Sequence, residues 1–167
     1  RGRDQGGDPK SNFAAAAGET PLKWDKIDHD TWRVQPGRAK SVSVHFDYLA
    51  DTLDNAMAWA KPDFVLFNGP NLLPYPEGRG TDFSATVTVK TEPGWLVATG
   101  MAASEKGGYR ESNYHNLVDK PFFVGRFDYD SMQVAGVWTR LATYPAGALQ
   151  AQARSELWDQ IGRMIPA

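Results

Sequence analysis

Cysteine is absent from the 167-residue chain, which removes disulfides, thiolate metal sites and cysteine nucleophiles together. That absence leaves the compartment open, because many proteins of oxidising and of reducing compartments lack the residue. Neither charge dominates: 18 Lys and Arg against 20 Asp and Glu leave a net charge of −2. Such a balance provides no electrostatic footprint for nucleic acid or an anionic membrane. No apolar run approaches the roughly 20 residues that span a bilayer, and no signal peptide opens the chain. Residues 1–18 instead read as a flexible lead-in, polar and glycine-rich from Arg1 to Lys10 and ending in Ala14-Ala15-Ala16-Ala17-Gly18.

Histidine is scarce, with three copies at His29, His45 and His115. No pair has the i, i+4 helical spacing of a zinc hydrolase, and none lies on a predicted helix. A Gly-x-Ser-x-Gly elbow, a Gly-x-Gly-x-x-Gly turn and a Walker loop are all missing. Paired carboxylates occur in Asp28-His29-Asp30 and Asp128-Tyr129-Asp130, but 20 acidic residues make such pairs expected, and they read as solvated turns. No catalytic residue and no metal ligand set can therefore be assembled on paper, and no cofactor is expected in this chain.

What is present suits a β-rich globular chain. Hydrophobic residues make up 41% and charged residues 23%, and 16 Gly with 11 Pro supply turns. Thr31 to Val34 reads as a short strand stopped by Pro36-Gly37. Val42, Val44, Phe46 and Tyr48 alternate with Ser41, Ser43, His45 and Asp47, the period of a half-buried strand. Asp63 to Phe67 is continuously apolar after its first residue, as in a strand covered on both faces. Further strands are expected over 83–90, 95–99, 121–127 and 133–141, with turn residues between them. Residues 51–60 form either one helical turn or a long loop. No regular βα alternation occurs, so the expected class is mainly β, an antiparallel sandwich or strongly curved sheets. One C-terminal helix completes it, because Leu157, Trp158, Ile161, Met164 and Ile165 form a single apolar stripe between Gly147 and Pro166.

Aromatics are the loudest signal: six Trp, six Tyr and eight Phe, with Tyr109, Tyr114, Phe122, Phe123, Phe127 and Tyr129 close together. Core packing is the favoured role; an exposed platform for carbohydrate or peptide is the alternative. The segment Asn113 to Asp119 reads as a loop entering a strand set by Pro121. Asp119 is placed to close a turn by accepting backbone N–H bonds.

These stretches together resemble the N-terminal β-domain of the glycyl aminopeptidase-like metallopeptidases, in which a zinc catalytic domain and often a PDZ domain follow. Trp24-Asp25-Lys26-Ile27 with Thr31-Trp32-Arg33-Val34 resembles the family's early strand pair, and Val44 to Tyr48 its next strand. Phe67-Asn68-Gly69 precedes the loop Tyr75-Pro76-Glu77-Gly78, and Pro93-Gly94-Trp95 opens the following strand. Tyr114-His115-Asn116-Leu117-Val118-Asp119-Lys120-Pro121 resembles the Tyr-x-x-Leu-x-Asp-x-Pro segment, with Gly125 and Phe127 at fitting spacing.

The resemblance assigns structural motif roles to Trp32, Tyr48, Asn68, Gly69, Trp95, Tyr114, Leu117, Asp119, Pro121 and Gly125. The family's His-Glu-x-x-His is not in this chain. The likeness implies a non-catalytic domain of 19–146 beside the cleft of a zinc aminopeptidase, followed by a helix of 147–167 leading toward the catalytic domain. It implies zinc in the parent enzyme, a peptide substrate, and a periplasmic or secreted placement. Asp119 is the candidate to meet the substrate ammonium. Self-association through an open sheet edge or the C-terminal helix is a further expectation. Two other readings stay open: a free-standing β-sandwich that binds carbohydrate or peptide through aromatics, and a self-sufficient hydrolase.

Overall fold

The structure is a computed structural model that describes residues 10–51, 53, 58–105 and 107–165. The chain divides into two compact units, Arg1–Ala50 and Asp51–Ala167. All strand pairings are antiparallel. Among the described residues they form five small sheets, none closed into a barrel.

In the first unit β1 (Lys10–Ala17) lies between β2 (Thr20–Pro21) and β5 (Ser43–Tyr48), while β3 (Trp24–Lys26) and β4 (Trp32–Val34) form a hairpin. Lys10–Ala17 is thus a strand and not part of a lead-in; residues 1–9 lie outside the described residues. Alanine-rich sequence carries no strand preference of its own, so pairing with β5 decides this element. The ladder shifts register between Ser11 and Ala14, where Asn12 has φ 53° and donates to Asp47 at 2.5 Å. Phe13 stacks on Trp32 at 5.1 Å and meets Trp24 edge-on at 4.9 Å. The alternation in 41–48 marks the pleat correctly, but Val42 and Val44 remain exposed.

The second unit is built on a four-stranded sheet in the order β6 (Trp59–Lys61), β7 (Phe64–Phe67), β11 (Phe122–Gly125), β9 (Leu96–Thr99). Cross-strand partners share a face, so Phe67, Phe122 and Thr99 line one side, and Phe64, Leu66, Phe123 and Trp59 the other. Phe122 and Phe64 are the largest fully buried side chains. Burial of each contributes about 1.5–3 kcal/mol. Both faces of β7 are covered, as its unbroken apolar run predicts. The short helix α1 (Gly69–Leu72) follows β7, β8 (Ala85–Val87) pairs with β10 (Tyr109–Glu111), and α2 (Tyr114–Val118) leads into β11.

Residues 133–141 are not one strand. They belong to a hairpin of β12 (Asp128–Val134) and β13 (Val137–Thr143). Its turn residues Ala135 and Gly136 both have positive φ, at 48° and 78°. That matches the twist of a two-residue hairpin loop, although alanine is a poor signal for it. The final helix α3 (Ala151–Met164) packs by its Trp158, whose indole donates to Asp130. Asp128 accepts from the Gly147 N–H at 2.7 Å and from Arg154 at 3.5 Å. The Asp128–Asp130 pair is therefore an anchor for α3 and not a solvated turn. The expected helical turn or loop of 51–60 falls largely outside the described residues; within it, Asp51 bridges to Trp59, which opens β6.

Candidate functional site

The segment with the strongest motif character folds as a helical turn, not as a loop. Asn113 has extended backbone and its side-chain oxygen accepts from the N–H groups of His115 (2.8 Å) and Asn116 (3.4 Å), which makes it the N-cap of α2. Five residues are too few for an apolar stripe, so only the cap could have marked this helix in the sequence. Tyr114 and Leu117 point inward and are buried. The Tyr114 hydroxyl donates to the Leu73 carbonyl, and its ring stacks on Phe83 at 5.3 Å and tilts against Tyr75 at 5.5 Å. Burial, and secondarily the nearby Tyr75, raises the Tyr114 pKa above the usual tyrosine value.

Two glycines of the motif set answer to close approach. A Cβ on Gly69 would lie 2.4 Å from the Cα of Val118, so α1 and α2 touch backbone to backbone there. A Cβ on Gly125 would lie 2.3 Å from the Asp63 carbonyl oxygen, and its φ is +142°. That opening lets the same carbonyl accept the Arg126 N–H at 2.8 Å and tie the end of β11 to the β6–β7 turn.

On the side of the sheet that carries Phe64 lies a groove of about 330 Å³, lined chiefly by Trp59, Phe64, Leu66, Phe123, Ala142 and Tyr144. Tyr144 stacks on Phe64 at 4.2 Å and donates to Asp63 at 2.8 Å. The bond to Asp63 raises the Tyr144 pKa, with desolvation and the carboxylate's charge adding in the same direction. Among the described lining residues the polar groups are the Trp59 indole N–H, the Thr143 hydroxyl and the Tyr144 hydroxyl, the last already engaged. Such a surface can accept apolar groups.

The remaining motif residues scatter. Trp32 and Tyr48 are half-buried in the first unit, Asn68 and Trp95 are half-buried in the second, and Pro121 is exposed at the entry to β11. Asp119 is exposed at the end of α2, and among the described residues its carboxylate has no hydrogen-bond or ion-pair partner. No backbone N–H bond to the Asp119 side chain occurs among the described residues; the side-chain cap of α2 is Asn113, at its other end. Of the aromatic cluster, Tyr114, Phe122 and Phe127 are core residues, whereas Tyr129 is exposed. His29, His45 and His115 are all exposed. Among the described residues no three His, Cys, Asp or Glu side chains converge as metal ligands. Among the described residues no helix is long and apolar enough to cross a membrane.

The described residues thus form small antiparallel sheets, one aromatic groove and a capped helical turn. The family model described as the peptidase M61 N-terminal domain matches residues 10–126, and the chain belongs to that family. The fold is also that of an aminopeptidase N family protein from Idiomarina loihiensis. Its crystal structure matches with a TM-score of 0.81 at 24% identity, over 93% of this chain and 27% of that one. This chain thus spans about a quarter of the length of that protein. No curated protein matches the chain.

Proposed function

We propose that this domain is the non-catalytic N-terminal part of a zinc-dependent aminopeptidase, packing beside the catalytic cleft and restricting it to peptide amino termini. The match of residues 10–126 to the M61 N-terminal family carries this reading. On this reading the zinc is held by the catalytic domain of the parent enzyme; among the described residues here no three His, Cys, Asp or Glu side chains come together. Zinc in such an enzyme activates water for peptide hydrolysis. The contribution of this domain is steric and electrostatic: a rigid β framework beside the cleft, and an exposed, unpaired Asp119 carboxylate available to a substrate ammonium.

The test is to express the parent protein and assay release of the first residue from peptides with free and with acetylated amino termini. Chelator-sensitive cleavage of the free peptides only is expected, with a raised KM in Asp119→Asn. Equal cleavage of acetylated peptides would remove the restricting role, and insensitivity to chelators would remove zinc. The domain by itself is expected to hydrolyse neither.

A further inference from the structure

The face of the four-stranded sheet that carries Phe122 ends at Thr99, its cross-strand partner. Thr99 is 9% exposed, and its hydroxyl makes no hydrogen bond among the described residues. A buried hydroxyl without a partner destabilises a fold, so one that persists calls for a physical reason. Its surroundings are rich in donors. The Arg140 guanidinium reaches over from β13 and donates to the Thr99 carbonyl at 3.5 Å, the outer limit of a hydrogen bond. Among the described residues Arg140 makes no other hydrogen bond and no ion pair.

Two tyrosines complete the group. The Tyr109 ring meets Phe122 edge-on at 5.5 Å, next to Thr99. Tyr129 lies diagonally from Arg140 on one hairpin face, because it pairs with Ala142 while Arg140 pairs with Ser131. Diagonal neighbours lie about 7–8 Å apart, within reach of long side chains. Among the described residues neither tyrosine hydroxyl has a hydrogen-bond partner. Burial, and next Tyr129, raises the Tyr109 pKa, against a lowering by Arg140, so at neutral pH the phenol stays a donor.

The group thus offers one guanidinium and three hydroxyls, with no carboxylate paired to it. Lys120, whose chain packs against Gly100 beside Thr99, is already neutralised by Glu111. One uncompensated positive charge matches one negative charge, and a guanidinium fork matches a carboxylate. Trp138 shares the hairpin face of Arg140 two positions away, about 6.6 Å along the strand. It is 61% exposed and offers an aromatic surface to the remainder of an acid.

We propose that Arg140, Tyr109, Tyr129 and Thr99 bind the carboxylate of an aromatic or apolar acid, with Trp138 packed on its organic part. Arg140 lies over the Thr99 carbonyl, so its turn toward the carboxylate uncovers the Thr99 hydroxyl as a further donor. The acid is a free aryl carboxylate or the C-terminal residue of a peptide, one chemistry from two sources. The site stands apart from the function proposed above, since Asp119 takes no part in it.

Benzoate and the peptide Gly-Gly-Phe are titrated into the isotope-labelled 167-residue chain and followed by its amide NMR spectrum. Benzamide and the C-terminally amidated peptide are the uncharged controls. Saturable shifts should gather at Thr99, Gly100, Tyr109 and Arg140, and the amides should bind at least roughly tenfold more weakly than the acids. Tighter binding of benzoate assigns the free acid, and tighter binding of the peptide assigns the peptide end. Arg140→Gln should weaken binding roughly tenfold or more while the spectrum stays that of a folded chain. Thr99→Val should weaken it about threefold and yet raise the thermal midpoint of the ligand-free chain, because the unpaired hydroxyl is gone. Equal binding of acids and amides, phosphate bound as tightly as the acids, full affinity in Arg140→Gln, or no saturable shift would each overturn the site.

Discussion

The indole Nε1 of Trp158 donates a 2.9 Å hydrogen bond to Oδ2 of Asp130, joining the middle of α3 to the middle of β12. Trp158 is also the buried residue of that helix, so one side chain combines apolar burial with a charge-assisted bond. Trp158→Ala should destabilise the domain by about 3–5 kcal/mol, the range for large aromatic truncations. Trp158→Phe keeps an aromatic ring but loses the donor and part of the buried volume, which should cost less, about 1–3 kcal/mol. Urea unfolding of the two variants checks the order; equal losses would mean that burial of the ring adds nothing beyond the hydrogen bond.

Gly125 and Gly147 both have positive φ but differ in their surroundings. Around Gly147 nothing lies within 4 Å of an added Cβ, whereas at Gly125 the Asp63 carbonyl oxygen is 2.3 Å away. Gly147→Ala should therefore cost only about 1–2 kcal/mol of backbone strain. Gly125→Ala must push β11 off the β6–β7 turn and should exceed about 4 kcal/mol. Thermal unfolding of the pair measures the contrast, and comparable midpoints would refute it.

The α2 cap predicts a smaller and chemically selective effect. Asn113→Ala removes the acceptor for two N–H groups and should cost about 1 kcal/mol. Asn113→Asp keeps an acceptor and adds a negative charge at the helix start, so its stability should match the parent within a few tenths of a kcal/mol. Loss of stability in both variants would indicate that packing around Tyr114, not capping, holds the turn.

Alkaline pH should weaken the domain through its tyrosines. The hydrogen bond to Asp63 raises the folded-state pKa of Tyr144, and burial raises those of Tyr109 and Tyr114. A raised folded pKa means that the folded state holds its proton longer than the unfolded one. The associated stability is complete below the ordinary tyrosine value near 10 and is lost as pH rises through the folded values. Unfolding free energy should be flat across neutral pH with respect to these groups and fall above it. Tyr144→Phe should have a shallower alkaline fall, and a fall as steep as the parent's would contradict the role given to Asp63.

Several elements were legible in the residues alone because their signals are local. The unbroken apolar run of Phe64–Phe67 marks a strand covered on both faces, and the stripe through Leu157, Trp158 and Ile161 marks α3. Other elements carried weak or opposite signals. Lys10–Ala17 has no strand propensity and takes its form from the β5 ladder. A turn of Ala135-Gly136 lacks the usual Asn-Gly or Asp-Gly mark, so β12 and β13 merged into one run in the sequence. The helix of Tyr114–Val118 is shorter than the period needed to reveal it.

From sequence come the absence of thiol and phosphate-cradle chemistry, the mainly β class and the likeness to an aminopeptidase's N-terminal domain, since each depends on composition or on short runs read in order. Tertiary structure alone decided that Tyr144 closes on Asp63 across 81 positions of sequence, that three separated stretches line one aromatic groove, and that two aspartates hold the last helix. Such relations arise when distant strands pair in register and bring apolar faces together, and no local pattern encodes which faces will meet.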